Sequence, residues 1–409
     1  MAQTILTPTA VTREAQRILH QKLNFVGSIN RTYDDSFAQS GAKIGDSLKV
    51  RLPNEYTVRT GKAISTQETS ETSETLTVAT QKGVDVNFSS AELTMSLDDF
   101  SKRVLEPAMS VLAANIESDA LSMYKDVYQE VSDVGATLTL AGVLQAQQKL
   151  TMALAPMDAR TLLLSPKSNY DLVSAASGLY NDRTKVSEQY RKGLIGNDFF
   201  GFDNVFQNTM LPIHTTGTDD GTGDYLTDIA AGENNGTSGA INVDTGAGSF
   251  KKGDVVMIEG VYGVHPETKA STGKLKQFVV TQDCTPGAGG GDLYISPSIV
   301  SSGARQNVAS APADGKKILK VESDESTVVG ASADYQIDLS YHKDAFAFAT
   351  ADLVMPKGVD FAAREVFDGI SLRIVRQYDI NNDNMPCRID ILYGYKTIRP
   401  QLACRLGWN

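Results

Sequence analysis

The chain has 409 residues, 41% of them apolar and 21% charged, with a formal net charge of −11. That length exceeds one compact core and implies two or three domains. The acidity excludes a protein whose main task is gripping nucleic acid through a basic face, but not a wall that encloses it.

The first residues run from a Thr7 cap and Pro8 into AVTREAQRILHQKL, a helix pattern with Val11, Ala15, Ile18, Leu19 and Leu23 as its apolar stripe. Arg13, Arg17 and Lys22 fall on the polar side, either as a solvated face or as a docking surface for an acidic partner. From Asp46 the period changes to two, with Leu48, Val50 and Leu52 alternating with polar residues until Pro53. A second extended run, Tyr56 to Thr60, precedes the Ser/Thr/Glu tract ISTQETSETSETLTVAT, in which Glu68, Glu71 and Glu74 recur three apart. A tract this polar buries no core of its own and is expected as a long hairpin tip. Strands are expected at Leu76–Thr80 and Val84–Phe88.

The longest periodic stretch is Leu97 to Tyr128, where Phe100, Val104, Ala108, Val111, Leu112, Ile116, Ala120, Leu121, Tyr124 and Val127 mark one helical face. Pro107 stands inside it, so either the helix kinks there or the proline begins the true helix. A helix over Leu140–Ala155, a buried strand at Arg160–Ser165, a helix capped by Ser165-Pro166 and a strand at Asn204–Gln207 follow. This irregular mixture favours an α+β arrangement.

Between Thr215 and Asp334 lie 19 of the 34 glycines, and 16 acids stand against 9 bases. Short strand patterns at Val255–Ile258, Lys276–Val280, Leu293–Ile295 and Ile318–Val321 predict a separate small β domain, inserted into the first because the earlier style resumes at Tyr335. ISLRIVRQY and RIDILYGY then alternate on either side of DINNDNMP as a long β-hairpin, and LACRLGW closes the chain with apolar groups able to dock on a sheet.

Motifs for catalysis are missing. Histidines 20, 214, 265 and 342 stand alone in the sequence, and there is no HExxH, CxxC or G-x-S-x-G. The three cysteines, Cys284, Cys387 and Cys404, share no metal or redox spacing, so a disulfide framework is not expected. GAGGGD at 287–292 lacks the ending of a phosphate loop and reads as a turn. Asp379, Asn381, Asp383 and Asp390 occupy calcium-loop spacing, but the required glycine is Asn384 and no helices flank them, so a polar hairpin turn is the simpler reading. No leader and no apolar run of about 18 residues supports secretion or membrane spanning, and the chain reads as cytoplasmic, without cofactor or metal.

The words Val375-Arg376-Gln377-Tyr378-Asp379, Cys387-Arg388, Leu392-Tyr393-Gly394 and Arg399-Pro400 closely resemble the C-terminal end of gene-5-type coat proteins of short-tailed phages, within the Hong Kong 97-type capsid fold. LAANIESDALSMY, GFDNVFQN at 201–208 and FKKGDVVMIEGV at 250–261 add to the resemblance in the same order. It implies an N-terminal arm (1–30), an extended loop over a neighbouring subunit (46–90) and a peripheral domain with a spine helix (91–137). It further implies an axial domain begun by 138–214, an inserted β-barrel domain (215–334) placed outward by its acidity, a return to the peripheral domain (335–365) and a C-terminal axial hairpin (366–409).

On that resemblance the protein is a major capsid protein and not an enzyme. It would form hexamers and pentamers of an icosahedral virion shell, assembled in the bacterial host cytoplasm with a scaffolding protein and a portal protein. The shell would expand as it encloses double-stranded DNA, without sequence-specific binding and without a membrane. Arg13, Arg17 and Lys22 would be the scaffold-docking arm, and Arg59, Lys62, Glu68, Glu71 and Glu74 the intersubunit loop. The other readings are an encapsulin-like cellular shell, a β-rich binding or adhesion protein, and an enzyme with a site built across domains.

Overall fold

A computed structural model describes residues 12–15, 17–19, 23–32, 46–64, 66–67, 71–88, 105–176, 199–218, 225–229, 234–244, 248–286, 290–320, 334–359, 361–367, 370–380 and 385–408. The chain divides into two compact units, Met1–Arg51 with Ser73–Leu121 and Phe346–Ile398, and Leu52–Thr72 with Ser122–Ala345 and Arg399–Asn409. Strands and helices are numbered along the whole chain.

In the first unit the expected stripe of the arm is buried at Ala15, Ile18, Leu19 and Leu23, and the short helix α1 (Phe25–Ser28) follows. Strands β1 (Asp46–Arg51) and β2 (Ser73–Val78) pair antiparallel from Asp46↔Val78 to Arg51↔Ser73. The organising strand is β17 (Met385–Thr397). On one edge it carries β3 (Thr80–Phe88). On the other it carries, in tandem, β16 (Ile370–Arg376) and β14 (Phe346–Ala351), with β15 (Phe361–Phe367) outside β16. Alternation sets the register: Ile374 pairs with Ile389 on the buried face, and Arg373 with Asp390 on the other. Gly394 lets β17 approach β2 closely, since a Cβ there would sit 2.1 Å from the carbonyl oxygen of Thr77.

Helix α2 (Glu106–Leu121) buries Ala108, Met109, Leu112, Ala113, Ile116, Ala120 and Leu121. The sequence pattern overstated it in two ways. The α-helix gives way to a 3₁₀ turn at Ser122–Asp126, short of Tyr128. Val111 is 59% exposed, because the packed rows run through 108–112–116 and 109–113–120 and leave it on the outer side. Pro107 is the second residue of the described helix, where a missing N–H costs little. The part of the expected kink that precedes residue 105 lies outside the described residues. Glu117 is buried on the same helix and its carboxylate accepts from Phe25 N at 2.9 and 3.2 Å, satisfying a free amide at the start of α1.

The second unit contains a six-stranded sheet of β4 (Glu130–Asp133), β18 (Ala403–Trp408), β13 (Asp334–His342), β5 (Arg160–Leu164) and β6 (Asn204–Gln207), with β7 (Ile213–Thr215) also on β13. Helices α3 (Leu140–Met152) and α4 (Pro166–Ala176) complete this part. Thr139 caps α3 by accepting from Gly142 N, and Ser165 caps α4 by accepting from Ser168 N. Beyond the end of α3 the buried Arg160 guanidinium donates to the carbonyls of Ala155 and Pro156 at 2.7 Å, and burial lowers its pKa.

The residues between β7 and β13 form a second sheet in the order β12 (Ile318–Lys320), β9 (Val255–Val264), β10 (Ser271–Val280), β11 (Gly291–Ser296), β8 (Ala240–Val243). The two outer strands are joined through residues 225–228: Ile318 N donates to Tyr225 O at 2.8 Å, Asp228 N to Asn242 O at 3.0 Å, and Asp244 N to Leu226 O at 2.8 Å. The sheet thereby closes on itself around Val256, Phe278, Leu293 and their buried neighbours. Four of its strands lie where the short strand patterns placed them; β8 does not announce itself, being short and set among glycines.

The partition of the last third differs from the sequence reading. Residues 335–365 do not return together, because β13 is the central strand of the six-stranded sheet while β14 lies in the first unit. Residues 366–409 likewise separate: the hairpin β16–β17 belongs to the first unit and only the end of the chain, including β18, to the second. Strand pairing over long sequence separation made the division, and periodicity carries no record of partner.

Candidate functional site

The arm residues are placed as follows. Arg13 is exposed on the helical segment, and Arg17 is held by Glu14 at 2.6 Å, an intrahelical pair that raises the arginine pKa through its hydrogen bond and charge. Lys22 lies outside the described residues.

Between β1 and β2 the tip is held by side chains in place of a ladder, and the run Tyr56–Thr60 forms no strand. Gln67 supplies both halves of a backbone-like pair: Thr57 N donates to its Oε1 at 2.8 Å, and its Nε2 donates to Thr57 O at 2.6 Å. Arg59 donates to the carbonyls of Gly61 and Ala63. This fastening leaves Val58 95% and Ile64 84% exposed, beside Tyr56 and the exposed Lys62. Glu71 precedes β2 and is exposed, and Glu74 within β2 pairs with Lys396 at 3.6 Å; Glu68 lies outside the described residues. An apolar tip without a core under it is surface prepared for something else to cover.

The insert meets the six-stranded sheet through buried polar groups. Gln277 of β10 pairs its amide with β4, accepting from Glu130 N at 3.0 Å and donating to Glu130 O at 2.9 Å. Lys149 Nζ joins them, 2.7 Å from Glu130 O and 2.8 Å from Gln277 Oε1. Arg405 of β18 is fully buried; it donates to the Glu130 carboxylate and, at 2.7 Å, to Gly253 O of the insert. Tyr335 O–H donates to the same carboxylate at 2.8 Å. Burial alone would lower the Arg405 pKa, but the charge of Glu130 and the neighbouring tyrosines Tyr335 and Tyr124 raise it, and the net direction is upward. Burial beside that carboxylate also drives the Tyr335 hydroxyl well up.

A second arm runs through His214. Its Nδ1 lies 3.1 Å from Tyr124 Oη and its Nε2 2.9 Å from Asp254 Oδ1, while Asp254 Oδ2 accepts from Gly217 N and Lys251 N. Tyr128, Val255, Met257 and Val279 pack as a small apolar cluster beside these groups, with Lys276 over the Tyr128 ring. None of this was legible in the sequence. Gln277 and Glu130 are 147 residues apart, and Glu130 and Arg405 275, so no spacing could signal them.

Asp390, the last member of the calcium-like spacing, is buried in β17 with Arg373 at 2.6 Å and Arg388 at 2.9 Å, so its carboxylate is already committed. Asn381 and Asp383 lie outside the described residues. No group of three or more His, Cys, Asp or Glu suited to a metal occurs among the described residues. Cys284, Cys387 and Cys404 are free thiols, each with its pKa raised by burial. Among the described residues no helix is long and apolar enough to cross a membrane.

The chain thus combines an α+β architecture, a closed β insert and, between β1 and β2, a side-chain-fastened segment with exposed apolar residues. The chain belongs to the P22 coat protein, gene protein 5, family, whose sequence profile matches residues 29–405. Its role is that of a major capsid protein of a tailed bacteriophage, a structural protein of the virion. The solved structures it resembles include a chain of Mycobacterium phage Che8, 12% identical with a TM-score of 0.47 over 94% of this chain and 90% of that one. The capsid of Ralstonia phage GP4 matches at 8% identity and TM-score 0.45, covering 94% and 91%. A virus-like particle from Pyrococcus furiosus matches at 8% and 0.40, covering 97% and 98%. No curated protein sequence matches the chain.

Proposed function

We propose that copies of this chain form the hexamers and pentamers of an icosahedral head, first as a precursor around a separate scaffolding protein, then expanding as double-stranded DNA enters through a portal. Assembly takes place in the cytoplasm of the bacterial host, and the chain catalyses no reaction. The observation that carries this reading is the family match over residues 29–405. The fastened tip of residues 52–72 supports it: Val58 and Ile64 are exposed, and a neighbouring copy is the natural cover for them in a shell. Residues 46–90 would then reach across the neighbour, with Arg59, Lys62, Glu71 and Glu74 on its polar side, while the arm with Arg13, Arg17 and Lys22 recruits scaffold.

Coexpression with a tailed-phage scaffolding protein, followed by negative-stain microscopy, tests the proposal. Closed shells are expected, and exclusively monomers or small oligomers under assembly conditions would refute it. Charge reversal at Arg13 and Arg17 should lower the scaffold content of the particles; unchanged content would remove the arm from that role.

A further inference from the structure

The polar junction of the second unit has a property beyond stability, because its bonds constrain direction as well as distance. Gln277 reads both the N–H and the C=O of Glu130, so the insert's β10 is held to the outer edge of β4 in the manner of a one-residue strand pair. Among the described residues that edge pairs with no other strand, since β4 has β18 on one side only. Arg405 of β18, itself fastened to Glu130, fixes a second point at Gly253 O, next in the chain to Asp254. His214 of β7 fixes Asp254, whose other oxygen is taken by Gly217 N and Lys251 N. The apolar cluster of Tyr128 with Val255, Met257 and Val279 fills the space beside these three attachments. One attachment would leave a pivot and two an axis of rotation; three attachments that do not lie on one strand leave neither.

We propose that Gln277, Arg405 and His214 lock the inserted barrel to the six-stranded sheet, so that the two move as one rigid body. If the chain acts in an expanding shell, a clause that rests on the function proposed above, the change of shape must then be absorbed outside this junction. Bistable elements, not well-packed joints, are where such motion is taken up.

Nitroxide labels at the exposed positions Lys167 on α4 and Ser302 in the insert, in a Cys284→Ser background, report the geometry by pulsed electron-spin distance measurement. The free chain should give one narrow distance population, and precursor and expanded shells should give the same one. The double variant Asp254→Asn with Gln277→Ala should widen the distribution about twofold or more as the joint acquires local freedom. Arg405 is kept intact in that variant, because removing it would strand the Glu130 charge. A broad or double population in the native free chain overturns the proposal, as does a native-like circular dichroism spectrum with unchanged width in the variant. A different distance in expanded shells also overturns it. Failure to form shells at all would count against the proposed function alone, since the free-chain measurement decides the lock by itself.

Discussion

Gln277 of the insert and Glu130 of β4 meet as an amide-to-backbone pair, with Glu130 N 3.0 Å from Oε1 and Nε2 2.9 Å from Glu130 O. A side chain here does the work of a neighbouring strand, and the edge it covers would otherwise be open to pairing with another chain. Gln277→Leu keeps the volume but strips the Glu130 amide of its acceptor and leaves the Glu130 carbonyl with Lys149 alone as donor. A loss of about 2 kcal/mol is expected, read as a lower urea midpoint. A midpoint equal to that of the native chain would show the pair to be energetically idle.

Arg405 and Glu130 form a buried ion pair whose members depend on each other. Arg405→Met alone should cost about 3–5 kcal/mol, because it leaves a buried carboxylate without its cation. The double change with Glu130→Gln should recover a large part of that loss. Thermal denaturation of the two single variants and the double one gives the coupling, and additive effects would contradict the pairing.

Asp338 supplies a pH dependence. Its side chain is fully buried and its Oδ1 accepts from Ser165 N at 2.7 Å. Burial pushes its carboxyl up to about 7 from 3.8, against the lowering effect of the bonds from Ser168 and Ser165. A raised carboxyl binds its proton more tightly in the folded chain than in the unfolded one. Its contribution to stability is therefore complete below pH 3.8 and is lost as pH rises through about 7. The full swing is up to about 4 kcal/mol. Asp338→Asn should flatten the fall of melting temperature between pH 5 and pH 8, and an unchanged slope would assign that fall to other groups.

Gly394 permits the close passage of β17 and β2. Gly394→Ala would bring a methyl group to 2.1 Å from a backbone oxygen, which cannot swing aside as a side chain could. A destabilisation of about 3 kcal/mol is expected, measured as a lower midpoint and a smaller soluble fraction. Wild-type values would mean that the strands separate there without cost.

Val58→Asp and Ile64→Asp at the exposed tip should leave the melting temperature of the free chain within about 1 °C, since neither side chain is packed. Shell yield by sedimentation should fall sharply. Full yield from the double variant would remove the tip from the subunit contact.

The sequence by itself determined the local elements: the stripe of the arm, the cap at Ser165, the buried run of β5, the strand pattern of β9, the alternation of β16 and β17, and the ordered words that place the chain in its family. These signals are written in neighbouring residues, where period and capping chemistry act within one or two turns. The tertiary structure alone decided which strands share a sheet, why β13 and β14 part company, and that Glu130, Gln277, His214, Asp254 and Arg405 form one joint. Those residues are isolated charges and amides in the sequence. Only a fold that removes them from water obliges each to find its partner, and the partner lies wherever the chain happens to return.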